Sequence, residues 1–209
     1  MNPWFLFSIA FVLGSVPFGY WVGKSQGIDI RQHGSGNIGS TNVARVMGKK
    51  WGLLVFILDF FKGWSAVILM TKSALFLDPE TLPLWSAAAA IAVILGHNYT
   101  PWLRFKGGKG IATSAGVLLA MMPWALSAGL LSWIFLMKVT KTVSIASLTA
   151  CIVVPCSAWF LYPGEKVLFG FAVIAGAMGI WRHRSNIRRL ISGEEFTFKK
   201  EESKAEGES

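Results

Sequence analysis

Long runs of apolar residues, separated by short polar segments, dominate this sequence. There are six nearly continuous runs, at residues 3–23, 51–71, 82–96, 111–137, 143–161 and 167–181. A helix of about 20 apolar residues spans the hydrocarbon core of a bilayer, which is about 30 Å thick. The first run shows no strand period, and the second is too long for a strand. The pattern therefore predicts an all-α, polytopic integral membrane protein.

The basic residues between these runs indicate how the chain is oriented. They cluster at residues 24–50, 104–109, 138–141 and 182–189. Because cytoplasmic segments carry an excess of Lys and Arg, all four clusters are expected on the cytoplasmic side. Six single crossings would place the last two clusters on the opposite side. A hinge at Pro123, near the middle of the fourth run, removes this conflict by dividing that run in two.

Each half of the fourth run has about 13 residues, which measure about 20 Å as a helix. The halves form either two spans in a thinned membrane or a re-entrant pair, and both give the same sidedness. The expected topology has seven transmembrane helices, an outside N-terminus, a cytoplasmic C-terminus and an outward loop at residues 72–83. The first run lacks a basic leader and a cleavage site, so it is expected to be a retained span rather than a signal peptide. Residues 1–191 are expected to form a single transmembrane domain, and the polar residues 192–209 a disordered cytoplasmic tail.

Composition supports a membrane protein and argues against other classes. Hydrophobic residues make up 53% of the 209 positions and charged residues only 15%, which is more apolar surface than a water-soluble core of this size could hide. The net charge of +9 comes from short clusters between apolar runs, so it indicates membrane orientation rather than nucleic-acid binding. Cys151 and Cys156 point to different sides of one predicted helix and cannot pair. No metal site, cofactor or disulfide framework is expected.

The segment at residues 33–50 contains the pattern Gly34-x-Gly36-x-x-Gly39, which also occurs in dinucleotide-binding folds. Asp59 lies at about the distance of twenty residues at which such folds place an acidic residue. In those folds, however, the glycines close a strand and open a helix of a soluble βαβ unit, whereas long apolar runs flank them here. Flexible glycines in a tight loop at a membrane surface cost conformational entropy, so we expect them to serve binding.

Three polar loops carry groups that bind oxyanions. The loop at residues 34–45 offers N–H groups from its glycines together with hydroxyl, amide and guanidinium side chains. The loop at residues 105–116 places two lysines around two glycines just before a helix, whose N-terminus adds partial positive charge, and it predicts a phosphate cradle. The loop at residues 182–190 clusters arginines with a histidine and an asparagine. The link at residues 138–144 adds two lysines and several hydroxyls.

Other polar residues have structural interpretations. Asp59 and Lys62 are three apart on one helical face, so we expect an intramembrane ion pair. His97 fits either a site residue or a helix-end residue whose polar groups are satisfied. The charges that we interpret mainly as topology signals and lipid-headgroup contacts are Lys49, Lys50, Arg184, Arg188 and Arg189.

The order and spacing of these loops resemble a known enzyme family. GSGNIGSTNVAR at 34–45, KGGKGIATSAG at 106–116 and HRSNIRRL at 183–190 are similar to the three cytoplasmic motifs of the acyl-phosphate-dependent glycerol-3-phosphate acyltransferases, the PlsY family. The similarity includes GHNYTPW at 96–102 and KTVSIAS at 141–147. The resemblance implies a multi-pass protein of the bacterial inner membrane whose active site faces the cytoplasm.

The resemblance also implies a reaction. A fatty acyl group passes from acyl phosphate to the sn-1 hydroxyl of glycerol 3-phosphate, giving lysophosphatidate and phosphate, in the first acylation of phospholipid synthesis. The implied partners are these two small molecules and the lipid bilayer. The His-x-x-x-x-Asp motif of acyl-CoA-dependent acyltransferases is absent, because no histidine has an aspartate at that spacing. A transporter of organic phosphates is the alternative, but it would place polar groups near the bilayer midplane and often show repeated halves.

Residue-by-residue correspondence with the family implies two groups of site residues. The catalytic group is Ser35, Arg45, Lys109, Ser144, His183 and Asn186. The substrate-binding group is Gly36, Asn37, Gly39, Thr41, Asn42, Lys106, Gly107, Gly108, Gly110 and His97. Acyl phosphate has a good leaving group, so positioning and charge neutralisation supply much of the acceleration. A phosphomonoester has a second pKa of about 6, so we favour a substrate phosphate over His183 as the base.

Labelling of single cysteines tests the predicted topology, in a background without the two native cysteines. The variants are Ser40→Cys, Lys106→Cys, Thr140→Cys and Ser185→Cys. All four thiols are expected to react only from the cytoplasmic side, because all four positions lie in or beside the basic clusters. Reaction of the last two from outside, with the first two still reacting from inside, would contradict the hinge at Pro123.

Overall fold

The computed structural model describes residues 3–72 and 78–197. Within these residues the chain forms ten α-helices and no strand, which confirms the all-α prediction. The helices are α1 (Pro3–Ser15), α2 (Phe18–Ser25), α3 (Ser40–Met47), α4 (Lys49–Lys72), α5 (Leu82–Asn98), α6 (Ile111–Met121), α7 (Pro123–Thr140), α8 (Val143–Leu161), α9 (Lys166–Arg182) and α10 (Arg184–Ile191). Short 3-10 turns at Ile30–Gln32 and Pro101–Leu103 lie in the loops before α3 and after α5.

Several helical segments have the length and composition of membrane spans. Within the described residues these are Trp4–Ser25, Lys49–Lys72, Leu82–Leu103, Pro123–Thr140 and Val143–Leu161. Helix α6 is also apolar but has only 11 residues, and α9 has 17. Large apolar side chains such as Leu131, Phe135 and Phe160 are exposed on the outside of the bundle. Such an extensive apolar exterior suits contact with lipid rather than water.

Proline sets two of the helix breaks. Helix α6 ends at Met121 and α7 begins with Pro123, which confirms the predicted break in the fourth apolar run. Helix α7 continues to Thr140 and has 18 residues, so the second half of that run is longer than expected. Pro17 divides the first run into α1 and α2, a break that the sequence interpretation did not include.

Glycine allows α4 and α6 to approach closely. A Cβ atom at Gly63 would collide with the backbone of Thr113, and one at Gly116 would collide with the backbone oxygen of Phe60. Small residues of this kind let helix backbones pack tightly inside a membrane. The other extensive helix pairs are α1 with α5, α7 with α8, α3 with α4, and α8 with α9.

Buried apolar side chains form two clusters. The larger lies among α1 and α4 to α9 and includes Val67 and Val117. The smaller includes Ile30, Val43 and Val55, and it holds α3 and the loop before it against α4. The polar loops are therefore fixed to the helices by an apolar cluster of their own.

The last described residues pack against the helices. Glu195 is only 7% exposed and accepts a hydrogen bond from Asn186, so the expected disordered tail does not begin at Ser192. Residues 198–209 lie outside the described residues, as do residues 73–77 of the expected outward loop. The sequence interpretations of those two segments stay predictions.

Candidate active site

Most of the predicted site residues line one cavity of about 550 Å³. They come from five parts of the chain. These are the loop before α3 together with α3 itself, the C-terminal end of α5, the end of the loop before α6, helix α8, and the segment that joins α9 to α10. The predicted residues on this cavity are Ser35, Asn37, Gly39, Thr41, Asn42, Arg45, His97, Lys109, Gly110, Ser144, His183 and Asn186. Segments that lie far apart in sequence therefore meet at a single site.

The same cavity continues between helices whose walls are apolar. Its lining there includes Leu118, Leu130, Trp133, Val154 and Ala172, which come from α6, α7, α8 and α9. A cavity with a cationic end and an apolar end suits an amphiphilic ligand.

Asn42 organises the first loop from within. Its amide nitrogen donates to the backbone oxygens of Ile30, His33 and Asn37 at 3.3, 3.0 and 2.9 Å. Its amide oxygen accepts the backbone N–H of Ser35 at 2.8 Å. The amide of Asn42 thus holds the loop together, and the structure gives it a supporting position where the sequence implied direct binding of substrate.

The glycines of this loop also serve its shape rather than the ligand. Gly36 has a φ of 69°, a left-handed conformation that suits glycine. Its N–H bonds to the oxygen of His33 at 3.0 Å, and the N–H of Gly39 bonds to the side chain of Asn37 at 2.8 Å. These two N–H groups are therefore engaged within the loop. Oxyanion binding by the loop stays a prediction, for which side chains such as Ser35 offer further donors.

The glycines of the second loop close the end of α5. The N–H of Gly107 bonds to the oxygen of Asn98 at 3.2 Å, and the N–H of Gly108 bonds to the oxygen of His97 at 3.1 Å. Both amide groups are therefore occupied within the protein, and the phosphate cradle stays a prediction. Gly110 does line the cavity and forms the N-cap of α6 with a φ of 84°.

A buried charged cluster supports this end of α5. Asp59 and Lys62 form the predicted ion pair, with their charged atoms 2.8 Å apart and both side chains buried. The ammonium of Lys62 also lies 3.0 Å from Nδ1 of His97 and donates to the backbone oxygen of Val16 at 2.9 Å. His97 lines the cavity but is committed to this cluster, so it combines the two roles that the sequence left open.

Lys109 lies among other cations in a largely buried position. Burial, opposed by Glu195 and helped by the positive charges of Arg189 and Arg45, lowers the pKa of its ammonium to about 8. The group is still mostly charged at neutral pH, but it lies close to the point at which it loses its proton. An anion bound beside it would favour the charged form.

His183 is buried and neutral. Its Nδ1 lies 2.8 Å from the backbone oxygen of Gly179, and because that oxygen can only accept, Nδ1 carries the proton and Nε2 the lone pair. Burial lowers its pKa to about 4, and the neighbouring charge of Lys109 acts in the same direction. A histidine in this state is a hydrogen-bond acceptor of low basicity.

Two buried polar atoms of the cavity lack a partner within the described residues. They are Oγ of Ser144 and Oδ1 of Asn186. Leaving a buried polar atom without a hydrogen bond costs about 1–3 kcal/mol. A ligand with suitable polar groups could satisfy both atoms.

The sequence interpretation missed several residues at this site. Glu195 accepts from Nδ2 of Asn186 at 2.6 Å and from Nε of Arg189 at 2.8 Å. The ring of Phe196 lies 4.5 Å from the guanidinium of Arg45. All of these residues line the cavity. The available signal was a carboxylate soon after a cationic helix, but the polar composition of the tail concealed it.

Comparison with known proteins decides the family. Residues 4–193 match the family model described as glycerol-3-phosphate acyltransferase. The chain belongs to the glycerol-3-phosphate acyltransferase family. The proteins of that name from Aquifex aeolicus and Methylobacillus flagellatus are 42% and 45% identical to it, over 95% and 91% of this chain and 100% and 94% of theirs.

Solved structures agree with this assignment. The crystal structure of PlsY (YgiH), an integral membrane glycerol 3-phosphate acyltransferase, in its glycerol 3-phosphate form has a TM-score of 0.86 to this chain at 39% identity. Its lysophosphatidic acid form has a TM-score of 0.83 at 38% identity. Each alignment covers 94% of this chain and 95% of the other.

In this acyltransferase, four of the implied substrate-binding residues lie off the main cavity. They are Gly36, Lys106, Gly107 and Gly108, and the side chain of Lys106 is exposed. A second cavity of about 310 Å³ shares Asn37 and Lys109 with the first. Its other lining residues are Arg182, Arg184, Ser185 and Arg188. Some arginines that the sequence suggested were topology charges therefore also face the site.

The lowered pKa of Lys109 predicts how oxyanion affinity depends on pH. Inorganic sulfate is a suitable probe because it stays a dianion across the titration. Below a pH of about 8 the ammonium is charged and binds the anion, so sulfate affinity should fall as pH rises through about 8, by about tenfold per unit above it. Calorimetric titration of the purified protein in detergent measures this fall in affinity, which is the alkaline limb of the pH profile.

Lys109→Arg is the matched control for this titration. A guanidinium stays charged at all accessible pH values, so the variant should lack the limb near pH 8. Persistence of the limb in Lys109→Arg would assign it to another group and contradict the prediction.

Proposed function

We propose that this acyltransferase moves a fatty acyl group from acyl phosphate to the sn-1 hydroxyl of glycerol 3-phosphate. The products are lysophosphatidate and inorganic phosphate, in the first acylation of phospholipid synthesis. The observation that carries the proposal is the single cavity that joins Arg45 and Lys109 at one end to apolar helix walls at the other. The cationic end suits two phosphorylated substrates, and the apolar end suits a fatty acyl chain.

Relatives support the choice of acceptor and product. The solved PlsY structures at 39% and 38% identity are of a glycerol 3-phosphate form and a lysophosphatidic acid form. These ligands correspond to the acceptor and the product of the proposed reaction. The alternative of an organic-phosphate transporter gains no support, because the matching family is one of acyltransferases.

The proposed chemical step needs no strong protein base. The sn-1 hydroxyl oxygen attacks the acyl carbonyl carbon, the bond from that carbon to the phosphate oxygen breaks, and inorganic phosphate leaves. The hydroxyl proton passes to a substrate phosphate, whose second pKa is about 6. Burial lowers the pKa of His183 to about 4, so its imidazole is the weaker candidate for the base in the free protein.

The role of the protein is then to position the two substrates and to neutralise the charge of their phosphates. Arg45 offers a planar two-pronged contact to phosphate, and Lys109 offers a point charge beside it. Ser144 and Asn186 each bring a buried polar atom that a bound substrate can satisfy. Holding the two substrates in attack geometry supplies much of the acceleration for an anhydride donor.

The proposed setting is the bacterial inner membrane, with seven passes, an outside N-terminus and the active site facing the cytoplasm. The four basic clusters support this orientation, since cytoplasmic segments carry the excess of Lys and Arg. The break between α6 and α7 supports the extra crossing that the charge pattern requires. Helix α6 measures only about 16 Å, so it crosses a locally thinned region or ends within the membrane.

Donor choice provides the main test of the proposed function. Purified protein in mixed micelles is incubated with glycerol 3-phosphate and either acyl phosphate or acyl-CoA. Lysophosphatidate is expected only with acyl phosphate, because the motif typical of acyl-CoA-dependent enzymes is absent. Turnover with acyl-CoA alone, under conditions where acyl phosphate gives none, would refute the proposed donor.

The variant His183→Gln separates the two possible bases. Glutamine keeps a polar group but cannot titrate, so if a substrate phosphate takes the proton, activity should remain measurable with a pH profile of similar shape. The control Arg45→Lys should be severely impaired, because an ammonium cannot reproduce the planar contact of a guanidinium. Loss of about four decades in His183→Gln, together with loss of the acidic limb of the pH profile, would instead make His183 the base.

A further inference from the structure

The Gly107–Gly108 turn is held on one side by the guanidinium of Arg182. Nε of Arg182 donates to the oxygen of Gly108 at 3.0 Å, and Nη2 donates to the oxygens of Gly107 and Gly108 at 2.9 and 2.8 Å. The guanidinium carbon also lies 5.0 Å from the centroid of the Tyr99 ring. The guanidinium is therefore fixed between an aromatic ring and two backbone oxygens.

The opposite side of the turn rests on the end of α5. The two glycine N–H groups bond to the oxygens of His97 and Asn98. The imidazole of His97 lies so close that a Cβ atom at Gly108 would collide with its Nε2. The cluster of Asp59 and Lys62 in turn fixes the imidazole of His97. Every polar backbone atom of the Gly107–Gly108 pair is thus engaged by the protein, and none is left for a substrate.

The turn determines the position of the residue that follows it, Lys109. Lys109 follows Gly108 directly, lines both cavities, and is succeeded by the N-cap of α6 at Gly110. Arg182 directly precedes His183, so the same three hydrogen bonds tie the second polar loop to the third. A shift of this turn would move the Lys109 ammonium relative to His183.

We propose that Arg182 is a positioning residue of this acyltransferase: by fixing the Gly107–Gly108 turn against His97, it places the Lys109 ammonium where it meets the phosphate of a substrate. This proposal rests on the proposed function, because it assigns phosphate binding to Lys109. Lysine cannot replace Arg182, since an ammonium is a point charge and cannot reach both glycine oxygens with a planar fork.

The variant Arg182→Lys tests this role, because it keeps the positive charge and removes the fork. The KM for glycerol 3-phosphate should rise about tenfold or more while kcat changes by less than about threefold, because the lost interaction is one that positions a binding group. The sulfate titration should also change. Lys109 would move toward water, so the limb at about pH 8 should move up by about one unit or more, toward the ordinary value for lysine of about 10.4.

Arg31→Lys is the matched control. Arg31 makes a two-pronged contact to Asp29 at 2.9 and 2.7 Å and lies 4.6 Å from the ring centroid of Tyr20, yet it lines neither cavity. It therefore offers the same chemistry away from the turn. Its substitution should leave both KM and the sulfate limb as in the wild type.

An unchanged KM and an unmoved limb in Arg182→Lys would overturn the proposal. A loss of thermal stability or of kcat alone, without those two changes, would also overturn it, because it would show a merely structural role. If Arg182→Lys does not fold, Tyr99→Leu, which removes the ring beside the guanidinium, is measured with the same criteria. Failure of the proposed function would be seen separately, as absence of lysophosphatidate in the wild type.

Discussion

The structure depends on satisfying the backbone polar groups that the helix breaks leave behind. No water is available inside a bilayer, so each freed carbonyl needs a partner within the protein. The break before α2 frees the oxygen of Val16, which accepts from Lys62. The turn after α5 exposes the oxygens of Gly107 and Gly108, which accept from Arg182. Cationic side chains thus satisfy the irregular backbone at both breaks, and irregular backbone is what brings the polar loops together.

This constraint explains which parts of the architecture the sequence could predict. Helix length and the sidedness of basic residues depend on local composition, and they led to the helical class and to the break at Pro123. The break at Pro17 was missed because the apolar run is continuous across it. The sequence interpretation did predict the pair of Asp59 and Lys62, since both lie on one helix. The contacts of that pair with Val16 and His97 join different parts of the chain, so a local sequence pattern could not predict them.

The same distinction applies to the site. Residue types and spacing pointed to Ser35, Lys109 and most of the other residues that share the cavity. They did not show that glycine N–H groups would bond within the protein, because hydrogen-bond partners depend on which carbonyls the fold brings near. Glu195 was missed for a related reason: its role comes from contacts with Asn186 and Arg189, whereas the composition around it is typical of a disordered tail.

The charges of the site bear on the proposal that a substrate phosphate, rather than a protein group, accepts the proton. Arg45, Arg189 and Lys109 crowd one end of a largely buried cavity, with Glu195 as a nearby opposing charge. Burial is the main cause of the lowered pKa of His183, and the excess of positive charge, from Lys109 and Arg182, acts in the same direction. A phosphate brings negative charge of its own, so it offsets this excess and keeps an oxygen that can accept a proton. In the proposed mechanism, the features that suit the cavity to two anions also disfavour His183 as the base, and the proton passes to a substrate.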